Sequence, residues 1–182
     1  RIGDRAAKRR RKGPPGKPAA YYLGKCIFEK GWGELLDLLE AAGPRLRDVA
    51  IDGFGSGADE RGVRERAGRL GLWRAGARLK HRAGLDHADE RLRDYAVLVN
   101  ASTSDVLCTV TVEALAMNKR CVLARHPSND FFAANFADRC HFFNVRDADS
   151  FARAVKQALA AGAPAPLSEE QRHSLTWDAA CE

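Results

Sequence analysis

A chain of 182 residues, 45% hydrophobic and 30% charged, has the make-up of a soluble globular protein with one domain and part of another. No apolar run approaches the ~20 residues of a membrane-spanning helix, and no signal-peptide pattern opens the chain. The net charge of +6 is concentrated at one end: Arg1, Arg5, Lys8, Arg9, Arg10, Arg11, Lys12 and Lys17 oppose Asp4 alone, so residues 1–18 carry +7 and the other 164 carry −1.

The folded part is therefore not a basic nucleic-acid-binding surface, and no nucleic-acid partner is expected. Residues 1–19 are expected to be an irregular arm, closed by Gly13-Pro14-Pro15-Gly16-Lys17-Pro18. The arm is either a solvated linker or a contact to nucleic acid or anionic lipid, each basic side chain adding about 1 kcal/mol near a charged membrane. A first residue of arginine rather than methionine suggests a piece of a longer protein. Residues 20–182 form the expected domain.

Strand-like and helical runs then alternate. Ala20–Leu23 is a strand, and Glu34–Ala42 is a helix with Leu35, Leu36, Leu38 and Leu39 along it. Val49-Ala50-Ile51 is a brief buried strand leading into the glycine loop Gly53–Gly57, after which a charged helix runs to about Leu70. Further strands are expected at Ala77–Lys80, Tyr95–Val99, Arg120–Ala124 and His141–Phe143, and helices at Ala88–Arg93, Thr111–Met117 and Asp147–Ala161. The last of these has Phe151, Val155 and Leu159 four residues apart and ends before Pro164 and Pro166. Ser168, followed by Glu170 and Gln171, opens a final helix with a capping box. Six strands alternating with helices predict an α/β fold, a doubly wound parallel sheet covered on both faces.

Ligands of such sheets bind in the loops at the carboxyl ends of the strands. Lys25 follows the first strand and Lys30 the next turn, two point charges suited to a diphosphate. Gly53, Gly55 and Gly57 would let backbone amides approach phosphate, although a plain turn explains them equally and the dinucleotide fingerprint is not matched. Asn100–Met117 is the most informative stretch: it follows a buried strand, enters a helix, and separates Asp105 from Glu113 by seven residues. Asp105 is expected before the helix and Glu113 about a turn and a half inside it. Free amides would lie between them, and a carboxylate at Glu113 would accept ribose hydroxyls. A capping Asp and a solvated Glu are the plainer alternative. Arg125–Phe132 is expected to be an ordered turn with both aromatics packed inside, and His126 is expected to be structural. Cys26, Cys108, Cys121, Cys140 and Cys181 are too dispersed for a zinc or redox motif and are expected to be buried thiols, with no metal site.

Taken together, YYLGKCIFEKGW, VAIDGFGSGAD and the Asp-x7-Glu block resemble the C-terminal, Rossmann-like half of retaining, metal-independent GT-B glycosyltransferases. GLDHADERLRDY, STSDVLCTVTVEALAM, HPSNDFF and LSEEQRHSLTWDAA narrow the resemblance to the digalactosyldiacylglycerol synthases of plants and algae, over roughly Tyr21 to Glu182. The resemblance implies transfer of galactose from UDP-galactose to monogalactosyldiacylglycerol, with no cofactor. The donor UDP-sugar would be held by this domain, and the galactolipid acceptor by an N-terminal domain outside it. It implies that Lys25 and Lys30 neutralise the diphosphate and that Asp105 meets the transferred sugar, these three being the catalytic set. Glu113 would bind ribose, and Val106, Leu107, Cys108 and Thr109 would give backbone contacts. Gly53, Gly55 and Gly57 would border the phosphates, and His87 and Asp89 the nucleotide side. A peripheral place on the chloroplast outer envelope is implied as well. Three positions depart from the wider pattern: Lys25 for arginine, Asp105 for glutamate, and Asn118 for a glycine after the helix, where asparagine suits a left-handed cap. The competing readings are a related transferase with another donor or acceptor, and a non-catalytic nucleotide-sugar-binding module.

Overall fold

A computed structural model describes residues 19–72, 79–103, 105 and 108–176. The arm 1–18, Ala77, Val106, Leu107 and Cys181, all invoked above, lie outside the described residues. In chain order the elements are β1 (Ala20–Leu23), α1 (Trp32–Ala42), β2 (Ile51–Phe54), α2 (Glu60–Arg69), β3 (Leu79–Arg82) and β4 (Val97–Asn100). These are followed by α3 (Thr109–Ala116), β5 (Arg120–Ala124), α4 (Asp130–Asn135), β6 (Cys140–Phe143), α5 (Ala148–Ala160) and α6 (Glu169–His173). The strands form one parallel sheet in the order β3-β2-β1-β4-β5-β6. Connections from β1 run outward to β2 and β3, then cross to β4, so the order reverses between β1 and β4. That switch point opens a crevice at the carboxyl ends of these two strands.

Side chains alternate across the sheet because successive strand residues face opposite ways. On one face Ala20, Tyr22, Ile51, Val97 and Val122 meet Trp32, Leu35 and Leu39 of α1 and Phe151 and Val155 of α5. On the other, Tyr21, Leu23, Phe54, Leu98 and Leu123 meet Leu115 of α3, Phe132 of α4 and Phe136. The tail is fastened by polar contacts: Arg120 Nε donates to the Gly162 carbonyl at 2.7 Å, and the buried Arg139 donates to Asn118 Oδ1 at 2.9 Å and Gln171 Oε1 at 3.3 Å. Asn118 takes φ 55°, the left-handed cap, and Ser168 and Gln171 form the capping box. Cys26, Cys108, Cys121 and Cys140 are buried free thiols. Among the described residues no helix is long and apolar enough to cross a membrane.

Several boundaries differ from the sequence expectation, each for a packing reason. Strand β2 starts at Ile51 and continues through Gly53 and Phe54, because the absent Gly53 side chain makes room for the Trp32 ring: a Cβ there would lie 2.8 Å from it. Strand β3 is shifted to Leu79–Arg82 by its register with Ile51–Phe54. Strand β4 is shifted to Val97–Asn100, since Tyr95 turns its hydroxyl to the buried Asp52 at 2.6 Å. The segment expected to be helical at 88–93 is a 3-10 turn at Glu90–Asp94. Helix α3 begins at Thr109, two residues early, on the cap Cys108. The turn after β5 holds a short helix, and only one of its two aromatics is inside: Phe132 is buried while Phe131 is 41% exposed.

Candidate active site at the β1–β4 crevice

The segment after β1 is held tightly against the end of β2. Gly24 N donates to the Phe54 carbonyl at 3.1 Å and Cys26 N to the Ser56 carbonyl at 3.0 Å. Trp32 Nε1 reaches the Gly24 carbonyl at 3.4 Å. The approach is so close that a Cβ on Gly55 would lie 2.4 Å from the Gly24 carbonyl oxygen, and one on Gly57 2.7 Å from that of Cys26. Gly55 and Gly57 thus let the turn that carries Lys25 pack closely, while Gly53 sits inside the sheet against Trp32. The Tyr22 hydroxyl donates to the Lys30 carbonyl. Gly31, at φ 94°, lets the start of α1 abut the Ser102 amide, which a Cβ would meet at 2.7 Å.

These constraints place Lys30 across the crevice from the β4–α3 loop, where its Nζ pairs with Asp105 Oδ1 at 2.9 Å. Lys25, Lys30, His87, Asn100, Asp105 and Thr109 are among the residues lining one cleft of about 240 Å³. Cys108 and Thr109 bring the amino end of α3 to the same wall, where the helix dipole favours an anion. Burial pushes the Cys108 thiol pKa up, so it stays protonated.

Glu113 lies on α3 one turn beyond Thr109, with His87 Nδ1 3.5 Å from its Oε2. Oε2 is shielded from solvent and, among the described residues, accepts no hydrogen bond. Desolvation raises the Glu113 pKa, opposed by His87 and aided by Asp86. An acceptor oxygen in this condition is complementary to a hydroxyl donor. Asp89, by contrast, caps the following turn and gives both oxygens to Arg91, at 2.9 and 2.7 Å, which brings its pKa down to about 2. His87, unlike Asp89, lines the cleft. Val106 and Leu107 lie outside the described residues. Sequence reasoning missed Asn100, which lines the cleft at the end of β4; its signal was a lone amide closing the apolar run YAVLV. Among the described residues no three His, Cys, Asp or Glu side chains gather as a metal site would require.

No family model matches the chain. It is 43% identical over 183 residues to digalactosyldiacylglycerol synthase 1 of Lotus japonicus, covering 100% of this chain and 22% of that protein. It is 40% identical over 168 residues to digalactosyldiacylglycerol synthase 2 of Arabidopsis thaliana, covering 92% and 33%. The chain thus spans about a fifth to a third of these relatives, which are named chloroplastic. Among solved structures, a Staphylococcus aureus TarM mutant in complex with UDP superposes with a TM-score of 0.67 at 13% identity, over 84% of this chain and 31% of that one. The pneumococcal O-GlcNAc transferase in complex with UDP and GlcNAc gives 0.59 at 17%, over 77% and 28%. A UDP-forming trehalose-phosphate synthase from Burkholderia vietnamiensis gives 0.62 at 17%, over 88% and 37%. The fold is that of one lobe of the GT-B glycosyltransferases.

Proposed function

We propose that this chain, a homologous segment of the digalactosyldiacylglycerol synthase family, is the donor-binding lobe of a retaining galactosyltransferase that moves galactose from UDP-galactose to monogalactosyldiacylglycerol. One observation carries the donor-site reading: Lys25, Lys30 and the α3 amino end line one cleft at the β1–β4 crevice, and Glu113 lies one helical turn further along α3, paired with His87 of the same lining. The ribose diol donates to Glu113, the diphosphate lies between the lysines and the α3 amides, and the hexose faces Asp105. As the sugar–oxygen bond breaks, negative charge grows on UDP. Groups already aimed at that charge lower the barrier without reorganising, each such donor contributing about 10²–10³-fold in rate. The reading uses no cofactor. Galactose and the lipid acceptor are taken from the relatives' names. The acceptor lobe, a peripheral site on the chloroplast outer envelope and a membrane role for residues 1–18 belong to the same proposal.

The test is transfer of labelled sugar by the complete gene product, with vesicles containing monogalactosyldiacylglycerol. Digalactosyl lipid should form from UDP-galactose and far less product from UDP-glucose. A preference for another donor, or UDP binding without transfer, would overturn the assignment. Chain 1–182 alone should bind UDP weakly and transfer nothing. Sedimentation with anionic liposomes should weaken when residues 1–18 are removed.

A further inference from the structure

We infer that Asn100 is a positioning residue of this site, its side-chain amide closing the loop that carries Asp105 and fixing that carboxylate opposite Lys30. The inference rests on the donor-site reading above. Asn100 follows Val97, Leu98 and Val99, all fully buried, and is itself only 7% exposed. A carboxamide buried there costs about 1–3 kcal/mol unless its groups are satisfied. Both ends of the amide are used. Oδ1 accepts from Ser102 N at 2.9 Å, while Nδ2 donates to Cys108 Sγ at 2.8 Å and reaches Thr111 Oγ1 at 3.5 Å. Thr111 Oγ1 donates in turn to Cys108 Sγ at 3.1 Å, and Ser102, Cys108 and Thr111 are all buried.

One planar group therefore ties the first residues of the loop to its last, with Asp105 between. Ser102 N also abuts Gly31, the neighbour of Lys30, so the same hydrogen bond holds the two sides of the crevice in register. Alanine at position 100 offers neither group. Aspartate keeps the acceptor but lacks the donor, and glutamine displaces both by a methylene. A loop bearing a sugar-contacting carboxylate that shifts by about 1 Å can lose on the order of 10²-fold in turnover.

The experiment compares the complete gene product with Asn100→Ala, Asp105→Asn and the double variant, with turnover expressed per UDP-binding site. Asn100→Ala should lower turnover about 10- to 100-fold while the Kd for UDP, which lacks the sugar, moves by less than ~3-fold. In the Asp105→Asn background the same change should cost less than ~2-fold, because the group it positions is already gone. Thr111→Val, which cuts the far end of the network, is the milder variant and should give a smaller loss of the same kind. A loss that only tracks the number of UDP sites, or losses that multiply in the double variant, would make Asn100 merely structural. A parent that binds no UDP would overturn the donor-site reading itself, and this inference with it.

Discussion

Lys30 and Asp105, 75 residues apart in the chain, meet at 2.9 Å across the crevice with side chains 41% and 27% exposed. A bridge so open to solvent is worth no more than about 1 kcal/mol, so a diphosphate can take over the lysine at little cost.

The two partners should therefore respond oppositely to removal. Lys30→Ala should weaken UDP binding about 10-fold or more, since a hydrogen bond to a charged group contributes about 1.5–3 kcal/mol, and should flatten its dependence on salt. Asp105→Asn should leave UDP affinity unchanged or slightly stronger while transfer falls. Calorimetry at two ionic strengths, set beside turnover of the complete gene product, checks both.

Burial raises the Glu113 pKa above its ordinary 4.5, and Asp86 adds to the rise against the pull of His87. The proton that would cancel Glu113 as the proposed ribose acceptor then binds at a higher pH than it would on a solvated glutamate. Affinity for UDP-galactose, a diester without a secondary phosphate ionisation, should fall as pH drops through a midpoint above 4.5, and Glu113→Gln should abolish that dependence. Stability takes the opposite sign. The folded state binds this proton more tightly than the unfolded one, so Glu113 detracts from stability as pH rises through the window above 4.5. Glu113→Gln should melt no lower than the parent at neutral pH.

Gly55→Ala drives a methyl to 2.4 Å from the Gly24 carbonyl oxygen and 2.8 Å from the Trp32 ring. Backbone on one side and a buried indole on the other leave nowhere to move. A loss of about 2–4 kcal/mol, or about 5–15 °C in Tm, is expected. UDP binding should weaken too, because this contact shapes the turn that carries Lys25.

The parallel sheet was legible because buried strands announce themselves as short apolar runs between helical patterns, and Asn118 and Ser168 are cap residues whose chemistry is local. The glycines are ambiguous in the sequence for a physical reason. A chain that must admit a phosphate and one that must admit Trp32 both need a missing Cβ, and only the packed structure tells which. Lys25, Lys30 and His87 were singled out from loop position and line one cleft in the structure, whereas the pairing of Asp89 with Arg91 could not be read from the sequence. Asn100 escaped because its meaning lies in Ser102, Cys108 and Thr111, partners that a linear pattern does not connect.

Asn118→Ala should cost about 1–3 kcal/mol, combining left-handed strain with loss of the acceptor for the buried Arg139 guanidinium. Asn118→Gly relieves the strain alone and should fall between parent and alanine variant in thermal denaturation.

The account stands or falls on whether cations and carboxylate at this crevice hold one nucleotide. Titration of UDP into chain 1–182 and into its Lys30→Ala and Glu113→Gln variants, with Tm recorded for each, measures that directly. Saturable binding by the parent, at least ~10-fold weaker in either variant at an unchanged Tm, is the expected result. Equal binding by all three proteins would move the nucleotide elsewhere and contradict the site described above.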